Sequence, residues 1–375
     1  MLPWLYDLLS APLNLGETPL RILQYASVRC VGAFIVAFGF VLLLGRRTAA
    51  WLYRRGMRDR VRDYGEYFNH SKSGTPTMGG LLIVGGIILA TLLFSEAENR
   101  VAHLLVLTVL WYGALGCVDD MMKVVGGSSD AGMSRNLKFF LQALFAFFFG
   151  AIILSDGTSP FPAEIRTNLY FPFPRPEILG PIDLGYFYLP FVVVALVSIT
   201  NAINFADGLD GLAVLPTALT AAVFGVVAYM MWNNQTSKFF AFDYMPAHDM
   251  QAIAIFASAV VGSCFGFLWF NGYPAQMFMG DTGAMALGGS LGAMAILSKQ
   301  ELLFLIAGGV FVFEAFSVLI QDYVGIRWIG RRIFFRAPAH HGYQHQGLAE
   351  TKVVLRFWIV SLLCCVLSFA TLKLR

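Results

Sequence analysis

The stretch that decides the fold runs from Val101 to Asp120 and reads VAHLLVLTVLWYGALGCVDD. Its first eighteen residues contain no Asp, Glu, Lys or Arg, and about 20 apolar residues are enough to cross a bilayer as a helix. The run then ends in two adjacent carboxylates, Asp119 and Asp120. This pattern predicts a membrane-spanning helix with an acidic pair at the membrane boundary.

The whole chain shares this apolar character. Of its 375 residues, 57% are hydrophobic and only 13% are charged, whereas soluble domains carry about 25% charged residues. We therefore expect an all-α, polytopic integral membrane protein with about ten transmembrane helices, forming one transmembrane domain over residues 1–375. The candidate spans lie near residues 24–45, 79–95, 101–118, 137–155, 187–206, 212–232, 250–270, 284–298, 302–325 and 353–372.

The basic residues orient these spans, because cytoplasmic loops carry an excess of Lys and Arg. If the N-terminus lies outside, 17 of the 26 Lys and Arg residues fall in the inner loops. We therefore expect both termini to face away from the cytoplasm. The outer segment 156–186 is rich in proline, which predicts an ordered loop with a short hairpin.

Five polar segments interrupt the apolar chain, and this threading places all of them on the inner, cytoplasmic face. Carboxylates beside hydrocarbon are costly and mark functional positions. Gathered on one face, they can hold a metal ion and phosphates at the bilayer surface. The five loops lie near residues 46–78, 119–136, 204–212, 271–284 and 326–352.

The acidic pair Asp119 and Asp120 has two interpretations. Adjacent acids in a loop are usually solvated surface, but these two follow an apolar span directly. Neighbouring carboxylates raise each other's pKa, and a nearby divalent cation reverses that shift. In the functional interpretation, one carboxylate holds a metal while the other accepts a proton or positions a nucleophile.

Asn204, Asp207 and Asp210 recur at intervals of three after the fifth candidate span. If the segment is helical, they share one side of a helical turn. Gly208 and Gly211 allow close backbone approach. A polar turn needs only one capping Asp or Asn, so three of them favour a binding site over the alternative of a capped turn.

Asp281 stands in Phe278-Met279-Gly280-Asp281-Thr282-Gly283, just before the eighth candidate span. It suits the N-cap of that helix, and a helix N-terminus flanked by glycine is also an anion site. Carboxylates from separate loops favour Mg²⁺, a hard cation bound by a few carboxylates, phosphate oxygens and water. None of the five cysteines has the spacing of zinc ligands.

His340 and His341 lie in the last inner loop, after Pro338 and near several arginines. The pair indicates a phosphate-facing surface, although histidines in such a loop are also often structural. Glu314 falls in the middle of the ninth candidate span. An ionisable group there either pairs within the protein or lines a cavity, and the sequence leaves both alternatives open.

Taken together, these segments closely resemble the phospho-N-acetylmuramoyl-pentapeptide transferase family of the polyprenyl-phosphate N-acetylhexosamine-1-phosphate transferase superfamily. The likeness runs from about residue 60 to the C-terminus, and its most specific parts are Lys72 to Gly80, Asn204 to Leu212, and Phe267 to Asp281. It implies ten helices, a cytoplasmic active site, Mg²⁺ and a homodimer. The implied reaction moves phospho-MurNAc-pentapeptide from UDP-MurNAc-pentapeptide to undecaprenyl phosphate and yields lipid I and UMP.

The resemblance also implies the catalytic residues. Asp119, Asp120 and Asp281 would be the catalytic acids, with Asp281 on magnesium, and His340 would touch the phosphates. Phosphoryl transfer depends mostly on positioning and charge neutralisation, which these groups can supply.

The substrate-binding residues are implied in the same way. A lysine and a phenylalanine would hold the uridine end, the aromatic ring by stacking, and the Asn-Asp-Asp segment would line the nucleotide and phosphate site. The full set is Lys72, Thr77, Asn204, Asp207, Gly208, Asp210, Phe278 and His341.

Two positions depart from the family pattern. The family has three consecutive histidines followed by Tyr and Glu, whereas this chain has His340-His341-Gly342-Tyr343-Gln344. The family's Thr in its Asn-Leu-Thr-Asp stretch is Ala206 here. The first departure bears on the histidine loop, and neither one touches the acids.

Two alternative functions remain compatible with the sequence. A related transferase acting on another UDP-N-acetylhexosamine would share most of the same segments. A membrane transporter would place its acids near the bilayer midplane, whereas these lie at loop junctions. No feature of the chain indicates nucleic-acid binding.

Overall fold

The structure is a computed structural model that describes residues 1–3, 19–58, 74–128, 131–173, 179–240, 242 and 247–373. Lys72 and the rest of segment 59–73 therefore lie outside the described residues. In chain order, the helices are α1 (Ala26–Arg54), α2 (Gly80–Phe94), α3 (Arg100–Gly126), α4 (Arg135–Leu154), α5 (Tyr188–Ala206), α6 (Val214–Trp232), α7 (Asn234–Phe239), α8 (Ala247–Asn271), α9 (Gly280–Leu297), α10 (Phe304–Ala307), α11 (Gly309–Leu319), α12 (Ala339–His345) and α13 (Glu350–Lys373).

The helical membrane architecture is confirmed. Eight helices in the described part of the chain are long and apolar enough to cross a membrane. Two further predicted spans are also helices, the 15-residue α2 and the 18-residue α9. Every residue of α9 from Thr282 to Leu297 is buried, so this helix forms the protein core rather than a lipid-facing surface.

The ninth predicted span, 302–325, differs from the expected single helix. Gly308 separates α10 from α11, and beyond α11 the chain continues as a π-helix from Ile320 to Ile329. Gln321 in this segment accepts the backbone N–H groups of Ile333 and Phe334 at 3.2 and 3.0 Å. These two hydrogen bonds hold the segment that follows the π-helix back against Gln321.

Close backbone approach holds α9 against its neighbours. A Cβ atom on Gly116 of α3 would lie 2.1 Å from the carbonyl oxygen of Asp281, and one on Gly80 of α2 would lie 2.1 Å from the nitrogen of Gly283. Neither position has room for a side chain, as is usual where membrane helices pack through small residues. The start of α9 is thereby fixed next to α2 and α3.

The two ends of the bundle hold different polar groups. At one end, the last turns of α3 and α5 meet the first turns of α4 and α9, so that Asp119, Lys138, Asn204 and Asp281 come into contact. At the other end lies the predicted hairpin, β1 (Asn168–Leu169) paired antiparallel with β2 (Ile182–Asp183). The short hairpin expected in segment 156–186 is therefore confirmed.

A buried charge cluster fastens this second end. Lys299, in the turn after α9, donates to the carbonyl of Arg166, and its Nζ lies 3.8 Å from the centre of the Tyr188 ring. Tyr188 donates its hydroxyl to Glu301 Oε1 at 2.6 Å. Burial lowers the pKa of Lys299 to about 8 and raises the pKa of Glu301, because both charges have left water.

We expect Lys299→Met to loosen this end of the protein. The change removes one partner of a buried charged pair, a loss of about 3–5 kcal/mol in other proteins. Thermal unfolding of the purified protein in detergent should show the loss, with faster proteolysis within residues 156–173. Lys299→Met/Glu301→Gln should recover part of it, because no buried charge is then left alone. Wild-type unfolding of Lys299→Met would contradict this role.

Candidate active site

The acidic pair lies inside a helix rather than in the loop that the sequence indicated. α3 continues to Gly126, one and a half turns beyond Asp120, so its C-terminal part carries both carboxylates. Asp120 is buried and accepts the backbone N–H groups of Asp281 and Thr282 at 3.0 and 2.9 Å, together with the Thr282 hydroxyl at 2.7 Å. It therefore satisfies N–H groups in the first turn of α9.

Asp281 does not provide the N-cap that the sequence allowed for it. The N-cap position belongs to Met279, whose side chain makes no capping bond, and Asp281 lies in the first turn. Because Asp120 takes over the capping from a different helix, the carboxylate of Asp281 is left to other partners. The backbone at Gly280 helps, since its φ of 71° is one that residues with side chains rarely adopt.

Two lysines, Lys123 and Lys138, bridge the acids. Lys123 Nζ lies 2.6 Å from Asp119 Oδ2 and 2.9 Å from Asp281 Oδ2. Lys138 Nζ lies 3.4 Å from Asp119 Oδ2 and is also hydrogen-bonded to Asp281 Oδ2. Asp119 further accepts the backbone N–H of Met133 at 2.7 Å. These contacts join α3, α4 and α9 through charge-assisted hydrogen bonds.

Neither lysine was predicted from the sequence as a site residue. Lys123 stands four residues after Asp119, one turn along the same helix face, which was the available signal. Lys138 lies in the first turn of a different helix, α4. No sequence pattern near it indicates a contact with the acids, because only tertiary packing brings them together.

Asn204 is the residue of the Asn-Asp-Asp segment that contacts the acids, and its Nδ2 donates to Asp281 Oδ1 at 3.0 Å. One helical turn away, Asn201 donates to Gln142 Oε1 at 2.6 Å and ties α5 to α4. Asp207 follows as the C-cap of α5. Its pKa is raised to about 8, first by burial and then by the charges of Asp281, Asp120 and Asp210.

Asp210 serves a different purpose, because the segment is not helical as far as Asp210 and the three polar residues therefore do not share one side of a helical turn. Helix α5 ends at Ala206 and the chain turns. Asp210 is buried, accepts the backbone N–H of Ala275 at 3.0 Å, and donates its own backbone N–H to Glu350 at 3.1 Å. It fastens the loop after α8 to this turn and to the start of α13.

Phe278 and Thr77 lie on two strands of backbone that run past each other. The Phe278 N–H donates to the carbonyl of Pro76 at 2.8 Å, and the Gly79 N–H donates to the carbonyl of Phe278 at 2.9 Å. Met78, which lies between Thr77 and Gly79 in the chain, has a φ of 68°, and this value is unusual for a residue with a large side chain. Thr77 Oγ1 would lie 3.1 Å from a Cβ on Gly280, so its hydroxyl borders the acidic site.

The histidine pair lies in α12. His340 is fully buried, and a Cβ atom on Gly208 would lie 2.2 Å from its Nε2. His341 is half-buried and shares a hydrogen bond of 3.0 Å with Gln344. Its pKa is lowered to about 4, chiefly by burial and then by the neighbouring His340. A Cβ atom on Gly342 would lie 3.3 Å from the carbonyl oxygen of Arg336.

Asp119, Asp120 and Asp281 form a group that could hold a metal ion, with one oxygen from each lying within 4.8 Å of the others. Carboxylate oxygens at this spacing suit a hard divalent cation. Among the described residues, no nitrogen or sulfur ligand belongs to the group, which disfavours zinc. The donor set therefore fits magnesium, and the two lysines balance part of its negative charge.

The comparisons with known proteins identify the family. Residues 101–299 match the family model described as Glycosyl transferase family 4, and residues 72–84 match the Phospho-N-acetylmuramoyl-pentapeptide-transferase signature 1. The chain is also similar to the phospho-N-acetylmuramoyl-pentapeptide-transferase of Desulfotalea psychrophila (strain LSv54 / DSM 12343). The two are 40% identical over 364 residues, which is 97% of this chain and 98% of the relative. The family resemblance read from the sequence is confirmed.

We expect Asp120 and Asp119 to differ in their effect on stability. Asp120→Ala leaves buried donors of α9 without an acceptor, and each such group costs about 1–3 kcal/mol. Asp119→Ala leaves the N–H of half-buried Met133 without its acceptor, but water can reach it, and Lys123 and Lys138 keep Asp281 as a partner. Thermal unfolding in detergent should therefore show a clearly larger loss for Asp120→Ala. Equal losses would mean that the cap contributes little.

Proposed function

Since the chain belongs to the phospho-N-acetylmuramoyl-pentapeptide-transferase family, we infer that it transfers phospho-MurNAc-pentapeptide from its UDP carrier to undecaprenyl phosphate. The products are lipid I and UMP, and the reaction serves peptidoglycan synthesis. The observation that carries this function is the cluster of Asp119, Asp120 and Asp281 in a chain 40% identical to such an enzyme over nearly its full length.

We propose Mg²⁺ as the cofactor, held by Asp281 together with the neighbouring acids. When bound, the ion would neutralise phosphate charge and orient the diphosphate, as in other phosphoryl transfers. Asp120 contributes chiefly by capping α9, which sets the position of Asp281. Asp119 remains the group that takes the proton from, or orients, the acceptor phosphate.

The lysines would neutralise the reacting phosphates. Lys123 and Lys138 each offer an ammonium group at the edge of the acid cluster, and charge neutralisation is a main requirement of phosphoryl transfer. Their side chains are partly exposed, 29% for Lys123 and 17% for Lys138. Because both side chains are already partly in contact with water, each lysine can replace a carboxylate partner with a phosphate oxygen without first moving out of a buried position.

The donor nucleotide would bind beside the acid cluster, near Phe278. Phe278 is half-buried and offers a ring for the uracil to stack on. Lys72, which lies outside the described residues, is proposed as the second contact of the uridine. The remaining proposed substrate contacts are Thr77, Asn204, Asp207, Gly208, Asp210, His340 and His341. Of these, Asp210 acts by holding the loop after α8 in place.

The active site is proposed to face the cytoplasm of a bacterial inner membrane. The donor is a large, charged nucleotide made in the cytoplasm, and the basic residues concentrate in the loops on that side. Basic loops also attract anionic lipid headgroups, which helps to retain the lipid acceptor. A homodimer is part of the same proposal by family membership.

Two alternatives are weaker. A transferase for another UDP-N-acetylhexosamine would share the acid cluster, but residues 72–84 match the signature of the MurNAc-pentapeptide enzymes. A transporter would keep its acids facing a pathway near the midplane, whereas Asp120 and Asp281 are engaged at the first turn of α9.

The decisive experiment is the release of UMP by the purified protein with a polyprenyl phosphate. UDP-MurNAc-pentapeptide should be turned over and UDP-GlcNAc should not. EDTA should stop the reaction and Mg²⁺ should restore it. Asp281→Asn should lose at least about a hundredfold, since a neutral amide is a poor Mg²⁺ ligand.

The matched control for that variant is Asp156→Asn, at a carboxylate that is 94% exposed in the Pro-rich segment at the other end of the bundle. It should keep the wild-type rate and magnesium response. Faster turnover of UDP-GlcNAc, or an active and magnesium-responsive Asp281→Asn, would refute the assigned substrate or the assigned ligand, respectively.

Sidedness has its own test, with single cysteines in a cysteine-free variant. Ser128 follows α3 at the acidic end, and Thr158 follows α4 at the other end, and both are exposed. In intact cells, Thr158→Cys should react with a membrane-impermeant maleimide, and Ser128→Cys should react only after the membrane is opened. The opposite labelling would place the active site on the periplasmic side.

A further inference from the structure

Glu314, which the sequence left unassigned, has a buried partner. It belongs to α11, and neither its side chain nor that of His340 in α12 is exposed to solvent. Glu314 Oε1 accepts the backbone N–H of His340 at 3.2 Å, and Oε2 lies 3.3 Å from His340 Nδ1. Among the described residues, neither Oε2 nor Nδ1 has a hydrogen-bond partner, so the two atoms lie in close contact without hydrogen-bond geometry. The carboxylate therefore faces one histidine at both its backbone and its ring.

The other ring nitrogen faces the turn that follows α5. His340 Nε2 has no hydrogen-bond partner within the described ranges, although it is buried. It lies against Gly208, where a Cβ atom would come within 2.2 Å of it. Gly208 follows directly after Asp207, whose carboxyl is close enough to Asp281 and Asp120 to feel their charges. A buried nitrogen without a partner is an exception that asks for an explanation, and a ligand bound at this turn would supply one.

We propose that Glu314 is a positioning residue that holds His340 with its Nδ1–H toward the carboxylate and its Nε2 toward the substrate phosphates at the Asp207–Gly208 turn. This inference rests on the proposed function. The partner of one imidazole nitrogen decides which nitrogen carries the proton and how the ring is turned. Buried carboxylates orient histidines in this way around metal sites.

The neighbouring groups do not replace Glu314 in this task. His341 stacks obliquely on His340, with ring centres 4.2 Å apart, but its own Nδ1 is engaged with Gln344. Gly208 offers only backbone at the Nε2 side. Among the described residues, Glu314 is thus the charged side chain that contacts the His340 ring directly.

The test compares the effect of Glu314→Gln on turnover in the otherwise wild-type protein with its effect in a protein that already carries His340→Ala. Glutamine keeps the size of the side chain and an oxygen for the His340 backbone N–H, but it loses the negative charge. In the wild type, kcat for UMP release should fall at least about tenfold, with the KM for UDP-MurNAc-pentapeptide within about twofold. In the His340→Ala background, the same change should cost less than about twofold, because residues that act as one unit are not additive.

Glu301→Gln is the matched control, since it makes the same change at a buried carboxylate at the opposite end of the bundle. It should leave kcat unchanged in both backgrounds. Equal losses from Glu314→Gln in both backgrounds would show a purely structural role and overturn the proposal. An unchanged kcat in the wild type would do the same.

A spectroscopic measurement separates this inference from the proposed function. In ¹⁵N-histidine-labelled protein, with His340 identified through His340→Ala, the His340 ring should carry its proton on Nδ1 in the wild type. Glu314→Gln should weaken that preference. This result does not depend on turnover, so an inactive wild type would refute the function alone. A His340 spectrum unaffected by Glu314→Gln would refute the positioning role.

Discussion

The site depends on the hydrogen bonds that the carboxylate of Asp120 accepts at the N-terminus of α9. Burying a carboxylate among helices is costly unless it is hydrogen-bonded, and here three donors from Asp281 and Thr282 satisfy it. The positive end of the α9 dipole favours the same arrangement. Because these bonds join the end of α3 to the start of α9, they also fix the backbone of Asp281, so one acid positions another.

Charge balance explains the composition of the site. Asp119, Asp120 and Asp281 bring three carboxylates, and Lys123 and Lys138 bring two ammonium groups to the same cluster. The protein alone is therefore close to neutral there. A diphosphate donor and a phosphate acceptor add several negative charges, and opposite charges are needed to hold them together in a site of low dielectric. This is a physical reason for a divalent cation beyond the resemblance to the family.

How much of this the sequence could predict depends on the range of each interaction. The spans and the acids were predictable, because an apolar run and a carboxylate at its end are local signals. The extension of α3 to Gly126 was not, since Asp119 and Asp120 inside a helix look like loop residues by composition. The split roles of Asn204 and Asp210 were hidden as well, because they arise from contacts with Asp281 and with Ala275 and Glu350, more than 60 residues away. The contacts of Lys138 with the acids and of Glu314 with His340 were hidden too, because each joins two different helices through tertiary packing.

The two ends of the bundle use buried charge in different ways. Lys299, Glu301 and Tyr188 form a cluster that holds the loop between α4 and α5, in which Glu301 Oε1 is hydrogen-bonded and Glu301 Oε2 has no partner among the described residues. At the acidic end, the structure keeps groups that are only partly satisfied by protein, such as His340 Nε2 and the partly exposed lysines. Buried polar groups normally find partners, so His340 Nε2, which has none in the described structure, is a position where a ligand would complete the network. The glycines at 208 and 280 let the backbone pack directly against His340 and Asp120, because a Cβ atom there would lie 2.2 Å from His340 Nε2 and 2.6 Å from Asp120 Oδ2.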